Sequence, residues 1–298
     1  MPYRNTLLGI ALGLIIFGPA VGAPVTFNTA LPVGGDEFVA RGLVVVSQSG
    51  DDPGADDRDL ASTSVIAVLG YGLNHKLALF GVLPYADKEL DITMNGSRVN
   101  RSSIGLGDAS AFLRYTLVQR DQPGHTFRVA PFAGLKAPTG DDNKSDSIGR
   151  LPPGLQSGSG AWDLFGGVTA TYQTLDFQAD AQASYRVRNE ANGFDPGDEF
   201  RLDGSLQYRL WPQSLGDGVP DFFYAVLEAN LVHRDNNRVN GADDPDSGGT
   251  TIYLSPGVQY VTKRWIVEGV VQLPVSQNLH GTALENDYVF RAGFRFNF

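Results

Sequence analysis

The sequence predicts an all-β membrane protein, a transmembrane antiparallel up-and-down β-barrel of about 12 strands. Three observations predict it: a strict alternation of apolar and polar residues in segment after segment, arginine and acid but no lysine on the polar side of the clearest ones, and aromatic residues that bracket the apolar side at a bilayer's spacing.

The elements follow in chain order. Residues 1–22 read as a secretory signal peptide: Arg4 supplies the positive end, Leu7 to Phe17 is an uncharged apolar run too short to span a bilayer as a helix, and small residues follow from Gly18 to Ala23. Cleavage fits after Ala20 or after Gly22, whereas cleavage after Ala23 would leave Pro24 first. The mature domain, 23–298, begins with an irregular stretch, residues 24–35, carrying Pro24, Pro32 and the pair Gly34-Gly35. It is expected on the periplasmic side, with entry into the lumen as the alternative. Three weaker strand segments come next, at about 38–47, 62–73 and 77–85.

Nine clearer segments complete the series: 107–117, 127–135, 162–172, 175–187, 200–210, 223–231, 252–260, 265–275 and 288–298. Between Leu175 and Val187 one parity is Leu, Phe, Ala, Ala, Ala, Tyr, Val, and the other is Asp, Gln, Asp, Gln, Ser, Arg. In an extended strand these parities are opposite faces. Across the nine segments the apolar parity holds 52 residues and no charge, and the opposite parity holds 14 charges among 43 residues. Those charges are seven acids (Asp108, Asp163, Asp176, Asp180, Asp203, Glu228, Glu268) and seven arginines (Arg114, Arg128, Arg186, Arg201, Arg209, Arg291, Arg295). A soluble sandwich also alternates, but its polar face meets bulk water and commonly carries lysine. Trp162 and Tyr172 bracket one apolar face, and Tyr288 and Phe298 another, each ten residues apart. Ten steps of ~3.3 Å at a tilt of ~40° project to ~25 Å, the height of the apolar band between aromatic girdles.

The connectors alternate in length as a barrel requires. The outward ones are about 48–61, 86–104, 137–161, 188–199, 235–250 and 276–287. The inward ones are about 74–76, 118–125, 173–174, 211–221 and 261–264, mostly short, with 211–221 the exception. With the last strand ending in the periplasm, the expected location is the bacterial outer membrane, with lipid and lipopolysaccharide around the barrel. The strand closing on Phe298 is the piece offered to the barrel-assembly machinery.

Composition narrows the chemistry. The chain has no cysteine, which excludes a lipoprotein anchor, a disulfide, a thiolate metal site and a cysteine nucleophile. A formal charge of −10 argues against nucleic acid as a partner. His75 and His125 fall in periplasmic turns and His280 in an outer loop. His233 stands at the outer rim, where a lipolytic base could stand, but no nucleophile motif flanks it. No catalytic residue and no cofactor is expected. Asp51, Asp52, Asp56, Asp57 and Asp59 in the first outer loop, and Asp243, Asp244 and Asp246 in the fifth, lack the spacing of a calcium loop and read as a hydrated surface, so no metal is expected. Gly105-Leu106-Gly107-Asp108 is not a phosphate loop, because a strand follows it instead of a helix.

The remaining chemistry is the lumen. Acids and arginines facing one another across a narrow bore are expected to pair, to exclude an apolar core and to keep water inside. Lining a path for small solutes, the arginines favour anionic or polar-aromatic ligands. The long 137–161 connector is the candidate constriction.

Three runs add a resemblance: Gly105-Leu106-Gly107-Asp108 leading to Leu113-Arg114-Tyr115, then Pro131-Phe132-Ala133-Gly134-Leu135-Lys136-Ala137-Pro138-Thr139-Gly140, then Gly158-Ser159-Gly160 before Asp163 and Phe165-Gly166-Gly167. With these the chain resembles the outer-membrane transporter family named for the MetA pathway of phenol degradation, over most of the mature sequence. The resemblance implies a barrel that takes up aromatic or other small hydrophobic compounds; Arg114 and Lys136 fall on the lumen parity of its motifs and, with Arg128 and Asp108, are candidate lining residues. The expected function is therefore a channel or transporter for small molecules. The alternative is a closed structural or adhesive barrel with acidic loops.

Overall fold

The structure is a computed structural model that describes residues 22–214 and 220–298. All of the expected signal segment but Gly22, and the middle of the 211–221 connector, lie outside that range.

Twelve antiparallel strands close on themselves. They are β1 (Phe38–Ser49), β2 (Asp59–Gly72), β3 (Leu77–Met94), β4, β5 (His125–Lys136), β6 (Asp163–Thr174), β7 (Phe177–Val187), β8 (Glu199–Trp211), β9 (Phe222–Arg234), β10 (Gly249–Val261), β11 (Trp265–Leu279) and β12 (Tyr288–Asn297). Strand β4 is broken into Ser97–Leu106, Ser110–Tyr115 and Val118–Gln122. Each strand pairs with the next, and β1 pairs with β12 from Val39↔Asn297 to Gln48↔Tyr288. Closure removes both sheet edges, which hydrocarbon demands because every unpaired backbone group there costs several kcal/mol.

Burial separates this wall from a soluble sheet. On β8, Leu202, Leu206 and Tyr208 are 50–54 % exposed, while Asp203, Ser205 and Gln207 on the opposite parity are 1–3 % exposed. On this strand polar residues are inside and apolar ones outside. The girdle residues Trp162, Tyr172, Tyr288 and Phe298 all face outward, at 40–57 % exposure. This is a barrel of the bacterial outer membrane, with hydrocarbon where a sandwich would have its second sheet.

The short inward turns stand where the alternation places them, at 73–76, 175–176 and 262–264. Outside, one expectation fails. The 86–104 connector is not a loop, because β3 and the first piece of β4 continue as a hairpin from Tyr85↔Leu106 to Met94↔Ser97. Its tip is Asn95-Gly96, both with positive φ (51° and 77°), the left-handed pair that makes the tightest hairpin turn. Similarly, 118–125 is largely strand, Val118–Gln122 pairing back onto β5. Phe194–Asp195, Arg238–Val239 and Ala242–Asp243 form a small separate sheet that joins the fourth and fifth outer loops.

Candidate functional site

The N-terminal stretch takes the alternative course and enters the lumen. Short, uncharged residues let its backbone approach the wall, and its amides meet inward-facing acids. Glu228 on β9 accepts from Val25 N (2.7 Å), Thr26 N (3.0 Å) and Thr26 Oγ1 (2.5 Å). Thr29 Oγ1 donates to Asp180 (3.1 Å), and Ala30 N donates to Thr171 Oγ1 (2.8 Å). Arg114 donates to the carbonyls of Thr29 and Leu31, both at 2.6 Å. Arg41 donates to the carbonyl of Val25 (2.9 Å) and pairs with Glu268, which also holds Arg295. Val25 itself packs on Leu43, Val226 and Val270. A hydrogen bond to a charged group contributes about 1.5–3 kcal/mol, so this set makes the segment a fixed part of the periplasmic half of the bore.

The expected pairing of the luminal charges is only partly realised. Arg201 pairs with Asp203 (3.0 Å), Arg209 with Asp176, and Arg128 with Asp121 (3.1 Å) in the periplasmic turn. Arg291 instead donates to Gln272 (2.6 Å), and Arg114 caps backbone carbonyls. Arg186 forms no ion pair among the described residues and stacks over Phe165 at 5.3 Å.

Nor is the interior free of an apolar core. Phe80, Phe112 and Phe132 point inward and are buried, with Phe80 and Phe112 stacked at 4.7 Å and Phe132 and Phe165 edge-on to Phe112. Arg114 lies over the Phe80 ring at 4.8 Å. Under this cluster the N-terminal segment leaves a cavity of about 530 Å³, lined by Phe27, Leu31, Val33, Val68, Phe80 and Phe112 on its apolar side and by Arg41, Arg114, Arg128 and Arg295, with Glu37 as the one acid among the described residues, on its polar side.

A second cavity, of about 1130 Å³, opens toward the outside. Lys88, Lys136, Arg150, Arg186, Arg188 and Arg234 line it, against Asp108, Asp142 and Asp246. Arg188 and Arg234 share one acid, Glu199 (2.8 and 2.9 Å). The 137–161 loop forms one wall of this vestibule and does not cross the bore. Its Leu151 and Leu155 pack on Leu90, beside Leu60 and Ile92, and Lys88 donates to the carbonyls of Gly154 (2.9 Å) and Gln156 (2.8 Å).

A profile of the family described as "Putative MetA-pathway of phenol degradation" matches residues 55–279. The chain belongs to that family. No curated protein matches it in sequence. Among solved structures, the COG4313 outer membrane channel from Pseudomonas putida F1 matches at TM-score 0.66 and 14 % identity, over 93 % of this chain and all of that one. The β domain of the Bordetella autotransporter BrkA matches at TM-score 0.46 and 13 % identity, over 88 % and 99 % of the two chains.

In this member of the phenol-degradation family, the three motif runs meet at one point. Asp108 accepts from Gly140 N (3.0 Å), Ser159 N (2.9 Å) and Ser159 Oγ (2.7 Å). Lys136 then bridges Asp108 (3.1 Å) and Asp163 (2.9 Å). A Cβ on Gly158 would stand 2.3 Å from the Gly140 carbonyl oxygen, so only glycine lets these two backbones touch. The motifs tie the start and end of the 137–161 loop to the break in β4.

The sequence expectation missed Arg41, Lys88, Arg150, Arg188, Glu199 and Arg234. The first lies in a weak strand segment, Arg234 falls between the 223–231 segment and the 235–250 connector, and the others lie in stretches assigned to connectors. His233 does find a hydroxyl, though not from its own neighbourhood: Thr250 Oγ1 on the next strand is 2.8 Å from Nδ1, and Asp235 is 3.5 Å from Nε2. Acyl transfer needs, besides these, donors aimed at the developing oxyanion. The His233–Thr250 contact is a cross-strand tie at the exposed rim.

Proposed function

We propose that the protein is an outer-membrane channel for small molecules that combine an apolar, often aromatic, body with an anionic group. The observation that carries this reading is the cavity beneath the N-terminal segment, where stacked phenylalanines face four arginines. A flat apolar body gains by burial against the rings, and a carboxylate or phenolate gains a guanidinium partner. The cationic vestibule supports the same solute class, because a confined excess of positive charge concentrates anions at the mouth. The family's description names phenol degradation, and the Pseudomonas putida barrel of like fold is called a channel.

Proteoliposomes test it by comparing entry of benzoate, phenol and glucose. Benzoate is expected to enter fastest, and Arg114→Gln to remove its advantage over phenol. No entry of any of the three would overturn the proposal. That outcome favours the second reading, a closed structural barrel, which the segment filling the lower bore supports.

A further inference from the structure

Three glutamines on the inner wall surround Gly22 in the periplasmic half of the bore. Gln178 on β7 and Gln207 on β8 are directly opposed, and Gln259 on β10 faces Glu268 on β11. All three are at least 98 % buried. Two have their amide orientation locked: Gln178 Nε2 donates to Asp180 (2.7 Å), and Gln259 Nε2 donates to Glu268 (2.7 Å) and to the carbonyl of Ala23 (2.9 Å). Their oxygens therefore point the other way. The Oε1 atoms of Gln178, Gln207 and Gln259 are buried and accept no hydrogen bond among the described residues, and Gln207 Nε2 is equally unpartnered, leaving that amide free to turn its oxygen to the cradle. A Cβ built on Gly22 would stand 2.9 Å from Gln207 Oε1, 3.0 Å from Gln259 Oε1 and 3.6 Å from Gln178 Oε1, so all three acceptors converge on this stretch of backbone.

Buried acceptors without donors are rare, because the desolvation is not repaid. Three of them around one point call for a group with three donors and a positive charge. A primary ammonium has both. The chain supplies one if the signal segment is removed after Gly22, where Ala20 and Gly22 give the small-x-small pattern of a cleavage site. We propose that the glutamine cradle is the seat of the mature amino terminus, the α-ammonium of Ala23. In the processing step water hydrolyses the Gly22–Ala23 peptide bond: the Gly22 carbonyl carbon takes the water oxygen and leaves as a carboxylate, and the Ala23 nitrogen takes both water protons and becomes the ammonium. Its three N–H groups point at three amide oxygens. Asp180 and Glu268, one hydrogen bond behind them, set a negative potential that balances Arg41 and Arg295 nearby. The Ala23 carbonyl, held by Gln259, and the Val25 amide, held by Glu228, continue the anchor, so the lumen segment is tied from its first atom onward.

The inference rests on the cleavage site and not on the transport proposal, and its test is independent of permeability. Intact protein purified from outer membranes is weighed, then treated at neutral pH with an amine-acylating reagent, folded in detergent or unfolded by heat, and the N-terminal tryptic peptide is quantified. The expected mass is that of residues 23–298. The α-amine of the folded barrel is expected to react at least about 100-fold more slowly than that of the unfolded chain, since reaction requires local opening. Gln207→Leu, with folding checked by heat-modifiable migration, is expected to regain about tenfold of that reactivity. A chain beginning at Val21, or one beginning at Ala23 that is acylated equally fast folded and unfolded, would overturn the proposal, and neither result depends on the variant folding.

Discussion

The two halves of the lumen solve opposite problems. In the periplasmic half the wall is acidic and amide-rich at Asp180, Glu228 and Glu268, and the chain's own backbone fills it, so nearly every charge has a partner of fixed position. In the outer half the wall carries six cations against three acids, and what lies between them is open space. The difference lies in what the wall holds. The filled half holds the chain's own backbone through hydrogen bonds of fixed geometry, and the open half holds its cations on loop carbonyls and on Asp108, Asp163 and Glu199, leaving Arg186 without an ion-pair partner among the described residues.

Removing the filled half is the largest test. Deleting residues 24–31 is expected to raise single-channel conductance by about an order of magnitude, because it takes out the backbone that occupies the periplasmic half of the bore. Deleting 141–158 from the open half is expected to change conductance far less, since that loop lines a wall. Equal effects from the two deletions would erase the distinction between the halves.

A smaller break is Glu228→Gln. The variant keeps the side chain's size but replaces charge-assisted bonds to Val25 and Thr26 with neutral ones, a difference of about 1 kcal/mol or more. Brief openings in planar bilayer recordings are expected to become about tenfold more frequent. Unaltered gating would mean that the segment is held mainly by Val25 packing and by Arg114.

The open half is probed by Arg186→Gln, which removes a cation with no ion-pair partner among the described residues. The anion-to-cation permeability ratio, read from the reversal potential in a salt gradient, is expected to fall about twofold. Gln207→Leu in the filled half is the matching control, and no change in that ratio is expected from it.

How much of this was legible in the sequence depends on whether the signal was local. The wall was legible because alternate residues meet different solvents, and Leu202 and Asp203 report that without any knowledge of their neighbours. The filling was not. Val25 and Glu228 lie 203 residues apart, and nothing in Pro-Val-Thr-Phe-Asn-Thr distinguishes a periplasmic tail from a segment that docks on buried acids. The inward phenylalanines were hidden for another reason: Phe112, Phe132 and Phe165 occupy the polar parity, where the many charged neighbours set the expectation of a wet bore. The long β3–β4 hairpin is marked in the sequence only by its Asn95-Gly96 turn, because Asp87, Glu89 and Asp91 put charge on the outward parity and erase the split that identifies the wall.

The smallest expected effect compares two outer loops and shows how weakly the vestibule wall is fastened. Arg101 holds Asp146 of the 137–161 loop by two bonds (2.8 and 2.9 Å), and Ile148 N and Gly149 N add two more. The Arg101 hydrogen bonds, foremost, bring the Asp146 carboxyl down from 3.8 to about 2. The pair therefore contributes its full stabilisation above about pH 3.8 and loses it as the pH falls toward about 2, where the carboxylate takes up its proton in the folded protein too. In the first outer loop, Arg58 holds the Asp52 carboxyl lower still, chiefly through its side-chain hydrogen bonds, so that loop stays tied through the same interval. Pepsin, with rates normalised to an unfolded substrate, is expected to cut within 141–158 a few times faster at pH 2 than at pH 4, while 50–58 changes little. Arg101→Ala should abolish the pH dependence by making the loop equally accessible at both. If both loops open together, the acid transition belongs to the barrel as a whole, and the vestibule wall is no looser than the rest.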